Sequence, residues 1–289
     1  KKNMTEVDRI VREIKSLKPI STISYKVMEI MSDPTSSLDE LVGVIKYDQA
    51  TTANLLRICN SSYFGLRKEI ASVKQAVAYL GVEKVACLVA MVNSGENFRD
   101  AQAGYDLDEG DLWRYSVSSA LIAQDLAEKY RIANPAEVFT AALLKDIGKV
   151  ILSTHVRESF DAIMREVEEE GLTFLEAERK VIGMDHAELG ARVAEYWNFA
   201  PPLVDIIRDH HRPDRARPND LSIPIVYLAD SICMMSGIGG GSDGLAYRYY
   251  RDVVDRLKFS EMDLQMTIIN FQEKLKGIEE LIKLAQGDE

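Results

Sequence analysis

Cysteine, tryptophan and histidine are scarce in this chain, with three, two and four copies among 289 residues. Cys59, Cys87 and Cys233 are odd in number, far apart and set in apolar stretches. They argue against a disulfide framework or a cysteine zinc cluster and read as buried thiols in a reducing compartment. Positive charge is also short: 35 Lys and Arg stand against 46 Asp and Glu, a net charge of −11. That sign opposes sequence-independent binding to nucleic acid and attachment to an anionic membrane surface. No apolar run reaches the roughly 20 residues of a membrane-spanning helix. The opening Lys1-Lys2-Asn3-Met4 lacks the apolar stretch of a signal peptide, and it also fits a segment cut from a longer chain. The expectation is a cytoplasmic protein that binds neither nucleic acid nor membrane.

Strand patterns are missing too. No segment alternates apolar and polar positions convincingly, whereas almost every long segment carries the helical period. The fold class is therefore expected to be all-α. With 46% hydrophobic residues the chain can bury a large core, as one extended domain or as two lobes. Ser37 and Glu40 have the spacing of a capping box ahead of Leu41, Val44 and Ile45. Val82 to Val92 is apolar nearly all round, as a central helix is. Residues 135–152 and 160–170 read as two separate helices, and the prolines and charges of Arg212 to Asp220 as a surface loop. The polar segment Asn97 to Glu109 reads as a join. The expected division is an N-terminal helical lobe over 1–97, a second helical lobe over 98–235, and a flexible loop with a C-terminal helical extension over 236–289. Gly239-Gly240-Gly241-Ser242-Asp243-Gly244 matches G-x-G-x-x-G formally, but a helical pattern precedes it where a dinucleotide site needs a strand.

Several separated segments carry a resemblance. They include Lys-Pro-Ile-Ser-Thr (18–22), Leu55 to Phe64, Leu112-Trp113-Arg114-Tyr115-Ser116, and Leu-Leu-Lys-Asp-Ile-Gly (143–148). Ile45 to Asp48, Ile70-Ala71-Ser72, Ala76 to Gly81, Asp185 to Gly190, the pair His210-His211, and Leu228-Ala229-Asp230 complete the set. Over roughly residues 14–235 the chain resembles the HDOD family, a non-enzymatic-looking branch of the HD phosphohydrolase superfamily found in bacterial signalling proteins. The resemblance implies a multi-helical HD-like bundle and a two-metal site that has been altered. Tyr115 stands where the superfamily has an early His, and Lys145 stands at the His of the His-Asp pair. Asp146 matches the bridging carboxylate, Asp230 the late Asp, and His186, His210 and His211 the later histidines. The first metal position has thus lost both imidazoles. Asp146 and the three histidines still have the ligand count of a four-coordinate site for one divalent transition metal. His155 is the only histidine outside this set.

Each residue also has a plainer reading. His210 and His211 are adjacent and would point about 100° apart on a helix, and His186 can sit at a helix start and bond backbone. Lys145 either replaces the lost metal as a cation between Asp146 and Asp230 or points to solvent. Arg57, Asn60 and Ser61 form a polar patch that serves a partner or ligand, or else terminates a helix. Trp113, Trp197 and Phe199 read as core packing, and no Ser-His-Asp or Cys-His nucleophile can be assembled. The expectation is a non-catalytic regulatory module that acts through contacts with other signalling proteins and requires no cofactor. The alternatives are a single-metal phosphohydrolase using Asp146, His186, His210 and His211, and a sensor that binds a nucleotide or metabolite in the old cleft.

Overall fold

The computed structural model describes residues 5–33, 35–238, 241–242, 244 and 247–286. Residues 1–4, which carry the signal-peptide reading, lie outside them, as do Pro34 and Gly239, Gly240 and Asp243 of the glycine loop. The fold is all-α. Among the described residues no strand occurs, and a lone bridge joins Gln102 and Leu107. Among the described residues no helix is long and apolar enough to cross a membrane.

Among the described residues six α-helices precede the join: α1 (Glu6–Glu13), α2 (Thr22–Ser32), α3 (Leu38–Lys46), α4 (Gln49–Cys59), α5 (Val73–Leu80) and α6 (Val82–Val92). Side-chain caps explain where several begin. Ser37 and Glu40 form the capping box of α3, and Asp48 and Ser72 accept from backbone amides at the starts of α4 and α5. Val85 to Met91 of α6 are all buried, and this helix packs on α2, α4 and α5 while also touching the second half of the chain. Its near-absence of polar residues follows from contact on every side.

Seven helices follow: α7 (Asp111–Lys129), α8 (Pro135–Leu144), α9 (Ile147–Glu170), α10 (Phe174–Ile182), α11 (His186–Tyr196), α12 (Pro201–Asp209) and α13 (Ser222–Met235). The expected gap between 152 and 160 is absent, because α9 runs unbroken from Ile147 to Glu170. The chain breaks instead at Lys145 and Asp146, between α8 and α9. Apolar periodicity runs straight through that point, and the two residues at the break are buried charges. The join is packed into the fold. Phe98, Gln102, Tyr105 and Leu107 are buried in it, and the Gly104 amide donates to Ser153 Oγ on α9 at 3.0 Å. At the end of the chain, α14 (Arg251–Leu257), absent from the sequence reading, precedes α15 (Glu261–Gln286), which folds back over α4, α6 and α7.

All three cysteines are free and buried. Burial pushes the Cys59 thiol up to about 11 and those of Cys87 and Cys233 higher still, so none is a ready nucleophile. Trp113 packs against Phe98, and Trp197 against Phe199, both within the core.

Candidate metal centre

The break between α8 and α9 sets the centre. Asp146 is the N-cap residue of α9, yet its side chain caps no amide. Its carboxylate turns inward instead, and Lys145 and Asp146 are both 0% exposed. Helix α7 brings Tyr115 and its packing partner α13 brings Asp230 to the same spot.

Lys145 does not point to solvent. Its ammonium bonds Asp146 Oδ2, lies 2.6 Å from Asp230 Oδ1, and sits 4.4 Å from the centre of the Tyr115 ring. Tyr115 Oη donates to Asp230 Oδ1 at 2.7 Å, and Tyr247 Oη donates to Asp230 Oδ2 at 3.0 Å. Lys149, one turn into α9, places its ammonium 3.0 Å from Asp146 Oδ1. Two ammonium groups thus face two carboxylates in a dry interior. Burial opposes the charge on Lys145, but Asp146 and Asp230 outweigh it and hold its pKa above the ordinary lysine value. Burial likewise opposes both carboxylates, and the lysines hold Asp146 well below, and Asp230 below, the usual range.

The three imidazoles meet on the other side of Asp146. Asp185 caps α11 by accepting from the Glu188 amide, which fixes His186 in the first turn. His186 Nδ1 lies 2.8 Å from Glu178 Oε2 on α10, and that oxygen also accepts the His186 amide at 3.1 Å. The other oxygen of Glu178 accepts from Tyr105 Oη at 2.6 Å. Helix α12 ends at Asp209, so His210 and His211 occupy a turn and are not held 100° apart by a continuing helix. Their ring centres are 4.0 Å apart. His210 Nδ1 donates to the Ile207 carbonyl at 2.7 Å, which leaves the lone pair on Nε2, an atom with no hydrogen-bond partner. Burial pushes the His210 imidazole down to about 3 and holds His211 well below its ordinary value, so both stay neutral as ligands must.

One atom each from Asp146, His186, His210 and His211 lies within 4.8 Å of all the others. Donors about 2.0–2.2 Å from one tetrahedral ion stand roughly 3.3–3.6 Å apart. The pairs His186 Nε2–His211 Nε2, His186 Nε2–Asp146 Oδ1 and His210 Nε2–Asp146 Oδ1 measure 3.0, 3.8 and 4.0 Å, which brackets that spacing. Glu178 and the Ile207 carbonyl already hold two imidazoles by their far nitrogens, as partners behind metal ligands do. Asp146 Oδ1 is buried, with the Lys149 ammonium 3.0 Å away as its ion-pair partner. The donor set fits one divalent transition ion, in competition with the Lys149 ammonium for that oxygen. Lys149→Met is therefore expected to tighten Zn²⁺ binding at least tenfold, by about 1.4 kcal/mol or more, because repulsion between neighbouring cations is large in a dry site. Competition titration with a chromophoric chelator reads this directly, and an unchanged affinity would remove Lys149 from the account.

Other candidates lie elsewhere. Asn60 clamps the backbone of Ile70 through both ends of its amide, at 2.7 and 2.9 Å. Arg57 donates to the Leu284 carbonyl of α15, and Ser61 is buried with its hydroxyl unpaired. Two residues of that patch are thus used inside the molecule. His155 faces Glu6 and Glu13 of α1. The sequence reading missed Lys149, Glu178, Tyr105 and Tyr247. Lys149 alone carried a signal, its i+3 spacing from Asp146 across the first turn of a helix.

The chain belongs to the HDOD domain family, whose pattern matches residues 17–213. It is 26% identical over 216 residues to an uncharacterized protein of Treponema pallidum (strain Nichols), a match that covers 69% of this chain. The matched region spans 40% of the length of that curated relative. Among solved structures it is similar to an HDOD domain protein of unknown function from Geobacter sulfurreducens. That likeness has a TM-score of 0.73 and 24% identity over 95% of this chain and 96% of the other. It is also similar to a protein from Marinobacter aquaeolei described as a candidate signal transduction protein. There the TM-score is 0.75 and the identity 18%, over 97% of this chain and 65% of the other. At these identities the likenesses concern the fold.

Proposed function

We propose that this protein is a non-catalytic signal-transduction module that acts through contacts with other proteins and keeps one metal position as a remnant. The observation that carries the reading is Lys145. Its ammonium lies between Asp146 and Asp230, where the related two-metal sites hold an ion, and the Tyr115 hydroxyl stands in place of an imidazole. A fixed ammonium neutralises carboxylates as an ion does, but it cannot acidify a bound water. At the remaining position four protein donors converge, the count of a closed structural site.

Access supports the same reading. The cleft that reaches His186 and His211, between Arg212 and Arg248, offers about 30 Å³. That is room for about one water, where small-molecule sites are typically ~300 Å³ or more. Contact with other proteins is supported by Met262, Met266 and Ile269, which stand exposed one turn apart along α15.

The test is hydrolysis of p-nitrophenyl phosphate, its bis ester and common nucleotides, with and without Mn²⁺. No turnover above background is the expected result. Metal-dependent turnover that disappears in Asp146→Ala would establish the single-metal phosphohydrolase instead.

A further inference from the structure

A second cavity, of about 240 Å³, shares no lining residue with the metal centre and opens between the starts of α8 and α12 and beneath α2. It exceeds the ~150 Å³ of an apolar cavity that accepts benzene. Met28 and Met31 line it from α2, Ala136 and Thr140 from α8, and Phe199 and Leu203 from the approach to α12. The Thr140 hydroxyl is already spent on the Ala136 carbonyl at 2.8 Å, so this wall offers a ligand little polarity.

Glu137 also lines the cavity, where the exposed Glu29 and the amides of Asn134 and Asn198 stand as well, and it does not belong to an apolar wall. It is the one residue of α8 that is not fully buried. Its amide is capped by Asn134, yet its carboxylate makes no hydrogen bond or ion pair among the described residues. Burial, and then Asp220, pushes its carboxyl above the usual range, which marks a charge that is poorly solvated and lacks a cation. Placement in the first turn of α8 accounts for an acid there through the helix dipole, but it does not account for an apolar cavity beside it. A largely apolar cavity whose one partly buried carboxylate is unpaired is complementary to a small molecule with an apolar body and one positive end. The net charge of −11 favours the approach of a cation.

We propose that this cavity binds a small amphipathic organic cation, a primary amine whose ammonium pairs with Glu137 and whose hydrocarbon body lies between α2, α8 and α12. The inference is independent of the reading of the metal centre.

The test uses the full chain and three probes of one shape: 4-phenylbutylamine, 4-phenylbutanol and 4-phenylbutyrate, titrated by calorimetry at pH 7. The expected order is amine tightest, alcohol weaker by tenfold or more, and carboxylate weakest. In Glu137→Gln the amine should lose at least tenfold in affinity while the alcohol changes less than twofold, which a role confined to helix stability would not produce. Ala136→Leu, which fills the cavity, should remove binding of amine and alcohol alike. The proposal is overturned if the amine does not bind at millimolar concentration, if it binds no better than the alcohol, or if Glu137→Gln leaves its affinity unchanged. Because that substitution is conservative, the test stands even if the cavity-filling variant fails to fold.

Discussion

Replacing Lys145 by methionine is expected to lower the unfolding free energy at pH 7 by about 3–5 kcal/mol, the cost of breaking a buried ion pair on one side. Methionine keeps much of the side-chain volume, so the effect isolates the charge. Without the ammonium, Asp230 loses the cation at 2.6 Å, keeps only hydroxyl donors from Tyr115 and Tyr247, and faces Asp146 in a dry interior. The loss should depend on pH with a definite sign. In the wild type, Asp146 and Asp230 have depressed folded pKa values, so their contribution is present above the unfolded value of about 3.9 and is lost as pH falls through the folded values. Lys145, with a raised folded pKa, contributes fully below the unfolded value of about 10.4 and loses that contribution as pH rises through the folded one. The difference between the proteins should be greatest across the neutral range and shrink toward acid, because Asp230 in the variant has lost the cation that held its carboxyl down and takes up its proton earlier than in the wild type. Urea unfolding of both proteins at pH 7 and near pH 4 provides the comparison. A difference below about 1 kcal/mol at pH 7 would mean that Lys145 does not hold the carboxylates together.

Gly148→Ala should be as damaging for a steric reason. A Cβ at Gly148 would overlap the His186 carbonyl oxygen and lie 2.8 Å from the Gly190 amide nitrogen. Both obstacles are backbone, so α9 and α11 would have to separate. Overpacking typically costs about 1–3 kcal/mol and sometimes more, and the upper end is expected where no side chain can yield. The same separation would carry His186 away from Asp146, so Zn²⁺ stoichiometry should fall well below that of the wild type. Gly43→Ala is the control. A Cβ there meets nothing within 4 Å inside α3, and a helical Gly→Ala exchange of this kind typically stabilises by roughly 0.4–1 kcal/mol. If Gly148→Ala behaves like Gly43→Ala, the close crossing of α9 and α11 is not what assembles the centre.

Much of the helical pattern was legible because it is local. Ser37 and Glu40 announce α3 through their own hydrogen bonds, and the unbroken apolar surface of Val82 to Val92 announces a helix with neighbours on every side. The break at Lys145 and Asp146 was not legible, because Ala141, Leu144, Ile147 and Ile151 keep the helical spacing across it. At the break Lys145 meets Asp230, far along the chain, and such a long-range ion pair leaves no local signal. Glu178 shows the same limit. Within Leu-Glu-Ala-Glu-Arg-Lys it looks like a surface acid, and only the meeting with His186 and Tyr105 explains its full burial. Family resemblance located the four donors. Neither composition nor spacing could show that His210 and His211 leave the end of α12 with their rings converging.

Two lysines opposite two aspartates leave the interior between α7, α8, α9 and α13 without net charge from its own side chains. Domains organised around a resident ion fold only as fast and as far as the surrounding solution supplies it. Here the counter-charge is encoded in the chain and arrives with translation, in fixed proportion and at no concentration threshold. The charge balance among these four helices is then independent of the metal supply.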